Sequence, residues 1–152
     1  MQLFRWILCI VLICVSGFAD AINFRDCGST NVVVTSVNLL PCDSDPCTLV
    51  KGTSVTIHIL FRGLARIFPG DASFEGSFDE EPATIPFPPN GVCRRLIPGC
   101  PIQPGQRYTY HYTAVVPEDF RTGLLRVEWR LLNANMMPFL CVEFLVRIAE
   151  AP

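Results

Sequence analysis

The chain of 152 residues carries 12 basic and 14 acidic side chains, a formal net charge of −2, with no basic cluster beyond Arg94-Arg95. That balance excludes a nucleic-acid binder working through phosphate contacts. Half of the chain is hydrophobic and no repeat or low-complexity tract interrupts it, so one domain with a sizeable core is expected.

The first 21 residues open with one positive charge, Arg5, run through apolar Trp6 to Val15 and end in small residues. This is the order of a secretory leader cleaved after Ala19 or Ala21, and no later stretch reaches the roughly 20 apolar residues that a membrane span needs. The expected organisation is a leader over 1–19 and a single domain over 20–152, with a retained signal anchor as the alternative. Loss of the leader removes Cys9 and Cys14 and leaves Cys27, Cys42, Cys47, Cys93, Cys100 and Cys141. An even count in a secretory chain implies a disulfide framework, for which six cysteines allow 15 connectivities. Local spacing suggests Cys42 with Cys47 and Cys93 with Cys100, leaving Cys27 for Cys141. A zinc site fits these spacings poorly, and both histidines are remote from them.

Short alternating runs with turn signals between them follow, the all-β pattern. Asn31 to Leu40 is valine-rich and stops at Pro41. Lys51-Gly52 turns the chain into Thr53 to Phe61, where Val55, Ile57, Ile59 and Phe61 share one face and Thr56 and His58 the other. Ala72 to Phe78 is a weaker candidate. Residues 82–105 then hold seven prolines, three glycines and two cysteines, which no helix or central strand can run through. Its apolar residues, Ile85, Phe87, Val92, Leu96, Ile97 and Ile102, predict a disulfide-pinned crossover lying on a hydrophobic interior or a gate to a cavity.

Beyond the crossover, Tyr108, Tyr110 and Tyr112 alternate with Thr109, His111 and Thr113. Leu125, Val127, Trp129 and Leu131 then oppose Arg126, Glu128 and Arg130, and Leu140 to Ile148 closes the series. Half-polar alternation belongs to antiparallel sheets with one wet face, and two such sheets must cover each other. The expected fold is an all-β sandwich of about seven to eight antiparallel strands, a closed barrel being the alternative. His58 and His111 read as separate surface histidines. The sequence contains no nucleophile elbow, phosphate loop, metal-ligand cluster or N-glycan acceptor, so no catalytic residue, cofactor or metal is assigned.

Phe24-Arg25-Asp26-Cys27-Gly28-Ser29, Pro41-Cys42 with Pro46-Cys47, Lys51-Gly52, Pro86-Phe87-Pro88, Cys100-Pro101-Ile102-Gln103, Tyr108-Thr109-Tyr110, Val127-Glu128-Trp129 and Phe139-Leu140-Cys141 form one ordered series. It closely resembles the Niemann-Pick type C-two sterol carriers and the wider ML lipid-recognition family, which includes the group-two mite allergens. The resemblance implies an immunoglobulin-like sandwich with a lipid cavity between its sheets, and the bridges Cys27–Cys141, Cys42–Cys47 and Cys93–Cys100. It places Val116 and Phe120 at the pocket mouth and puts Ile85 where the family has a pocket phenylalanine, with Phe87 two positions on. Tyr110 and Trp129 complete the candidate lipid-binding set.

The function so implied is that of a secreted, monomeric, non-enzymatic carrier of a sterol, fatty acid or other apolar molecule, handing its ligand to a membrane-bound acceptor or receptor. An innate-immune lipid-recognition module or a semiochemical carrier is the alternative. Phe78-Asp79-Glu80-Glu81 replaces an apolar loop of the sterol carriers, and without a glycan acceptor the extracellular space is favoured over the lysosomal lumen.

Overall fold

The computed structural model describes residues 21–86 and 91–152. The expected leader, 1–19, and Phe87 lie outside the described residues. Among the described residues ten strands are present: β1 (Arg25–Asp26), β2 (Val32–Leu40), β3 (Cys47–Val50), β4 (Ser54–Gly63), β5 (Pro69–Phe78), β6 (Glu81–Ala83), β7 (Leu96–Ile97), β8 (Arg107–Val115), β9 (Gly123–Asn133) and β10 (Pro138–Ala149). β1, β6 and β7 have only two or three residues; of the longer strands, alternation anticipates all but β3.

The strands form two sheets, one ordered β2-β4-β8-β7 and the other β1-β10-β9-β5-β6 with β3 also on β10. Both are antiparallel apart from β3, which runs parallel to β10 with Cys47 opposite Val146 and Val50 opposite Ala149. Inward-facing residues of the two sheets make one apolar core that includes Val37, Ile59, Phe61, Tyr110, Leu131, Leu140 and Val146. No polar or charged residue is buried among the described residues. That is the expected result of stacking two sheets each apolar on one face.

Local chemistry explains the connections. The two-residue loop Asp79-Glu80 joins β5 to β6 with both residues at positive φ, 47° and 68°, the backbone of a primed hairpin turn whose twist matches the flanking strands. At the other end of the sandwich, Gly63 closes β4 where a Cβ would stand 2.5 Å from the Gln103 carbonyl oxygen, so only glycine fits. Next to it the buried Tyr108 hydroxyl accepts from the Gln103 N–H at 2.7 Å and donates to the Pro101 carbonyl at 3.2 Å, fixing the loop that leads into β8.

All three expected bridges are present. Cys27–Cys141 ties β1 to β10 across a sequence separation of 114, Cys42–Cys47 closes the loop between β2 and β3, and Cys93–Cys100 straps the proline-rich crossover. Within that crossover the chain makes a 3-10 turn, Val92–Arg95, and the short edge strand β7 on β8. Proline content forbids a central strand there, and what forms is a two-residue edge.

The long bridge closes a loop of 114 residues and Cys42–Cys47 one of 5. In the chain-entropy model the long one stabilises by about 3 kcal/mol more. Replacing Cys27 and Cys141 by serine should therefore lower the denaturant midpoint much further than replacing Cys42 and Cys47. Equal losses in equilibrium unfolding would contradict this ranking.

Candidate functional site, an apolar cavity between the sheets

The interior is not filled evenly. Toward the Gly63 end it is aromatic: Phe61 stacks on Tyr108 with ring centroids 5.6 Å apart, and Tyr110 meets Trp129 edge-on at 6.2 Å. Trp129 also contacts Phe74 at 4.0 Å and Tyr112 at 5.5 Å. Past this cluster come Val55 and Ile57 on β4 and Leu125 and Val127 on β9, with Phe144 on β10 and Phe120 beyond them. Among these side chains an apolar cavity of about 60 Å³ remains.

The cavity is closed by the segment after β6 and the loop after β8. Ile85 reaches it because Gly76 on β5 has no side chain: a Cβ there would come within 3.2 Å of Ile85 and 3.1 Å of Leu125, both cavity-lining residues. Val116, Pro117 and Phe120 line it from the loop between β8 and β9. That loop is anchored by paired backbone bonds, the Gly52 N–H donating to the Val116 carbonyl at 2.8 Å and the Val116 N–H to the Thr53 carbonyl at 2.9 Å.

Four of the six candidate side chains thus come together at the cavity: Ile85, Val116, Phe120 and Trp129. Tyr110 does not line it; the residue is fully buried in the aromatic cluster, and Tyr112, two positions on, holds the cavity place instead. Phe87 cannot be placed. Val116 is only 3% exposed, a wall residue and not an open rim, whereas Phe120 is half-buried.

Just outside Phe120 is a contact that the sequence does not signal. The Phe120 ring meets Phe78 edge-on at 6.3 Å, the Arg121 guanidinium lies 5.6 Å from the centre of the Phe78 ring, and Arg121 pairs with Asp79 at 3.4 Å and Glu81 at 3.5 Å. The acidic hairpin is thereby held against the loop that carries Phe120. All three charged partners are well exposed, so each pair contributes little by itself.

The cavity surface is apolar, and no carboxylate, lysine, arginine or histidine side chain lines it. The Trp129 indole N–H is buried without a hydrogen-bond partner. Cys27, Glu128 and Cys141 converge elsewhere within 4.8 Å, but the two cysteines are joined as a disulfide and are not available as thiolate ligands.

On the outer face of the four-stranded sheet, His58 of β4 and His111 of β8 stand directly opposite each other, both half-buried. They are neighbours, not the unrelated surface histidines that their sequence separation suggests. Burial first, then the charges of His58 and Arg95, push the His111 pKa below its ordinary 6.5.

A two-sheet immunoglobulin-like sandwich with three bridges and an apolar cavity between its sheets defines the class of domain. A family model described as the ML domain matches residues 21–148, and the chain belongs to that family. Over 144 residues it is 32% identical to the NPC intracellular cholesterol transporter 2 of Mus musculus, an alignment that covers 95% of each chain. The transporter of the same name from Danio rerio is 31% identical over 132 residues, 87% of this chain and 88% of that one. The mite group 2 allergen Der f 2 of Dermatophagoides farinae is 27% identical over 113 residues, 74% of this chain and 75% of the allergen. Among solved structures, a Niemann-Pick type C2 protein from the Japanese carpenter ant superposes with a TM-score of 0.72 at 20% identity, over 84% of this chain and 99% of that one, which shows the shared fold.

A histidine whose pKa is lowered in the fold binds protons more readily when unfolded. Its stabilising contribution is whole above pH 6.5 and is lost as the pH falls from there through the lowered folded value. His111→Gln should accordingly flatten the acid limb of stability against pH below 6.5, measured by denaturant melts at a series of pH values. An unchanged slope would show that other groups set that limb.

Proposed function

We propose that the protein is a carrier of a sterol or similar apolar small molecule, held between the two sheets behind Ile85, Val116 and Phe120. The observation that carries this reading is the apolar cavity between the sheets, next to the Trp129 cluster. Relatives named as cholesterol transporters, aligned along most of their length, support it. The absence of an assembled acid, base and nucleophile at the cavity favours binding over turnover.

At about 60 Å³ the cavity is far smaller than the roughly 300–1,000 Å³ of an ordinary small-molecule pocket. Loading a sterol therefore requires the sheets to part at the Phe120 end, where the closure consists of one loop and one hairpin. Covering about 400 Å² of apolar ligand surface at about 25 cal/mol per Å² gives a gross gain on the order of 10 kcal/mol. Association and sheet separation take back several kcal/mol, leaving affinities in the micromolar range or tighter.

Three disulfides suit an oxidising compartment, so the carrier acts after secretion, its leader cleaved at Ala19 or Ala21. Native mass spectrometry of the purified protein, with solvent extraction of what it carries, identifies the ligand class. Failure to recover a lipid or to take up fluorescent sterols and fatty acids would contradict the carrier reading.

Phe120→Ala should weaken sterol binding by on the order of tenfold while lowering the melting temperature little, because the ring is half-buried at the closure. Val116→Arg should abolish binding and also destabilise the fold, since that side chain is 3% exposed and an arginine there must desolvate or displace its neighbours. Sterol titration and melting of delipidated protein separate the two effects. A sharp loss of stability in Phe120→Ala with binding intact in the folded fraction would remove the ring from the ligand's path.

A further inference from the structure

We propose that His58 and His111 form a two-imidazole site for a borderline divalent transition metal such as Zn²⁺, on the outer face of the four-stranded sheet, back to back with the cavity wall. The two residues are register partners in an unbroken antiparallel ladder that pairs Ser54 through Arg62 with Val115 through Arg107. Side chains directly opposite each other in such a ladder have Cβ atoms about 4.5–5.5 Å apart on one face. Imidazole nitrogens bind zinc at about 2.0–2.1 Å, so rings leaning together from that spacing can both reach one ion.

The surroundings select the class of metal. β2, β4, β7 and β8 contain no aspartate or glutamate, and the six cysteines of the described chain are bridged. A site of imidazole nitrogens without carboxylates suits Zn²⁺, Cu²⁺ or Ni²⁺ and disfavours Ca²⁺ or Mg²⁺, which need oxygen cages. Asn38 stands opposite His58 on the β2 side, and the Thr56 and Thr113 hydroxyls one pair along are hydrogen-bonded to each other at 2.7 Å. Water completes the coordination, as in an open site. Arg95 is the opposing charge: its guanidinium lies 4.7 Å from the Tyr112 ring centre and its field reaches His111.

The position links the ion to the interior. His58 follows Ile57 and His111 precedes Tyr112, and Ile57 and Tyr112 line the cavity from the opposite face of the same strands. A metal bridging β4 and β8 clamps this wall from outside.

Untagged protein is titrated with Zn²⁺ near neutral pH by calorimetry, and its melting temperature is followed in parallel. The expected result is one ion per chain with a raised melting temperature. His58→Gln and His111→Gln should each lower zinc affinity by more than about tenfold, because losing a mere outer-sphere partner already costs about 10- to 100-fold. Their metal-free melting temperatures, compared with the parent's at the same pH, establish that the variants are folded. Arg95→Gln keeps both imidazoles and removes the nearby cation, so it should tighten zinc binding. The proposal is overturned if the parent protein binds no zinc at millimolar concentration, or if the double histidine variant, folded, binds it as the parent does.

Discussion

Trp129 sets where the sandwich is solid and where it is hollow. Its indole meets Phe74 on its own sheet and both Tyr110 and Tyr112 on the facing sheet, and together these occupy the middle of the interior. Sheets packed face to face keep about 10 Å between them, and one large aromatic side chain reaches further across that gap than one valine or isoleucine. Beyond Trp129 aliphatic side chains predominate, with Phe120 and Phe144 among them, and the cavity is the volume they leave. The bridge between Cys27 and Cys141 and the strap between Cys93 and Cys100 brace the structure around this packed part, while one loop and one hairpin close the hollow part.

That division explains which features could be read from residue order. Alternation along β4, β8, β9 and β10 marks the inward faces, because a strand's period of two is a local property. Depth along the strand is not local. Tyr110 and Tyr112 share a face and a chemistry, and only the position of Trp129 across the interior makes one a packed ring and the other a cavity wall. β5 looked weak because Asp71, Glu75 and Gly76 dilute its β-propensity, yet it lies inside its sheet between β9 and β6.

Register between distant strands was equally hidden. His58 and His111 face each other only because the Lys51-Gly52 turn and the loop into β8 set the start of their strands, and no pattern near either residue encodes that. β3 has four residues between a disulfide loop and a glycine turn, too few for a period to show, and its partner is the C-terminal strand. Arg121 sits in an irregular loop, so its role in joining the acidic hairpin to the Phe120 loop followed from geometry alone. Within the acidic hairpin, Asp79 and Glu81 are halves of ion pairs.

The two sheets also differ in how their borders are protected. β10 carries β1 against its first half, at Val142 and Glu143, and β3 against its second, from Val146 to Ala149, so one edge is covered by two short pieces in series. The outer border of β2 has Ala21 bridging to Asn38 and the Ile22 N–H donating to the Val37 carbonyl at 2.9 Å. Unpaired strand borders template self-association between molecules. Ala21 and Ile22 thus cover part of that border with backbone hydrogen bonding. Were a leader removed after Ala19, this cover would stay whole; removal after Ala21 would shorten it, and the shorter form would be the more prone to self-association through β2.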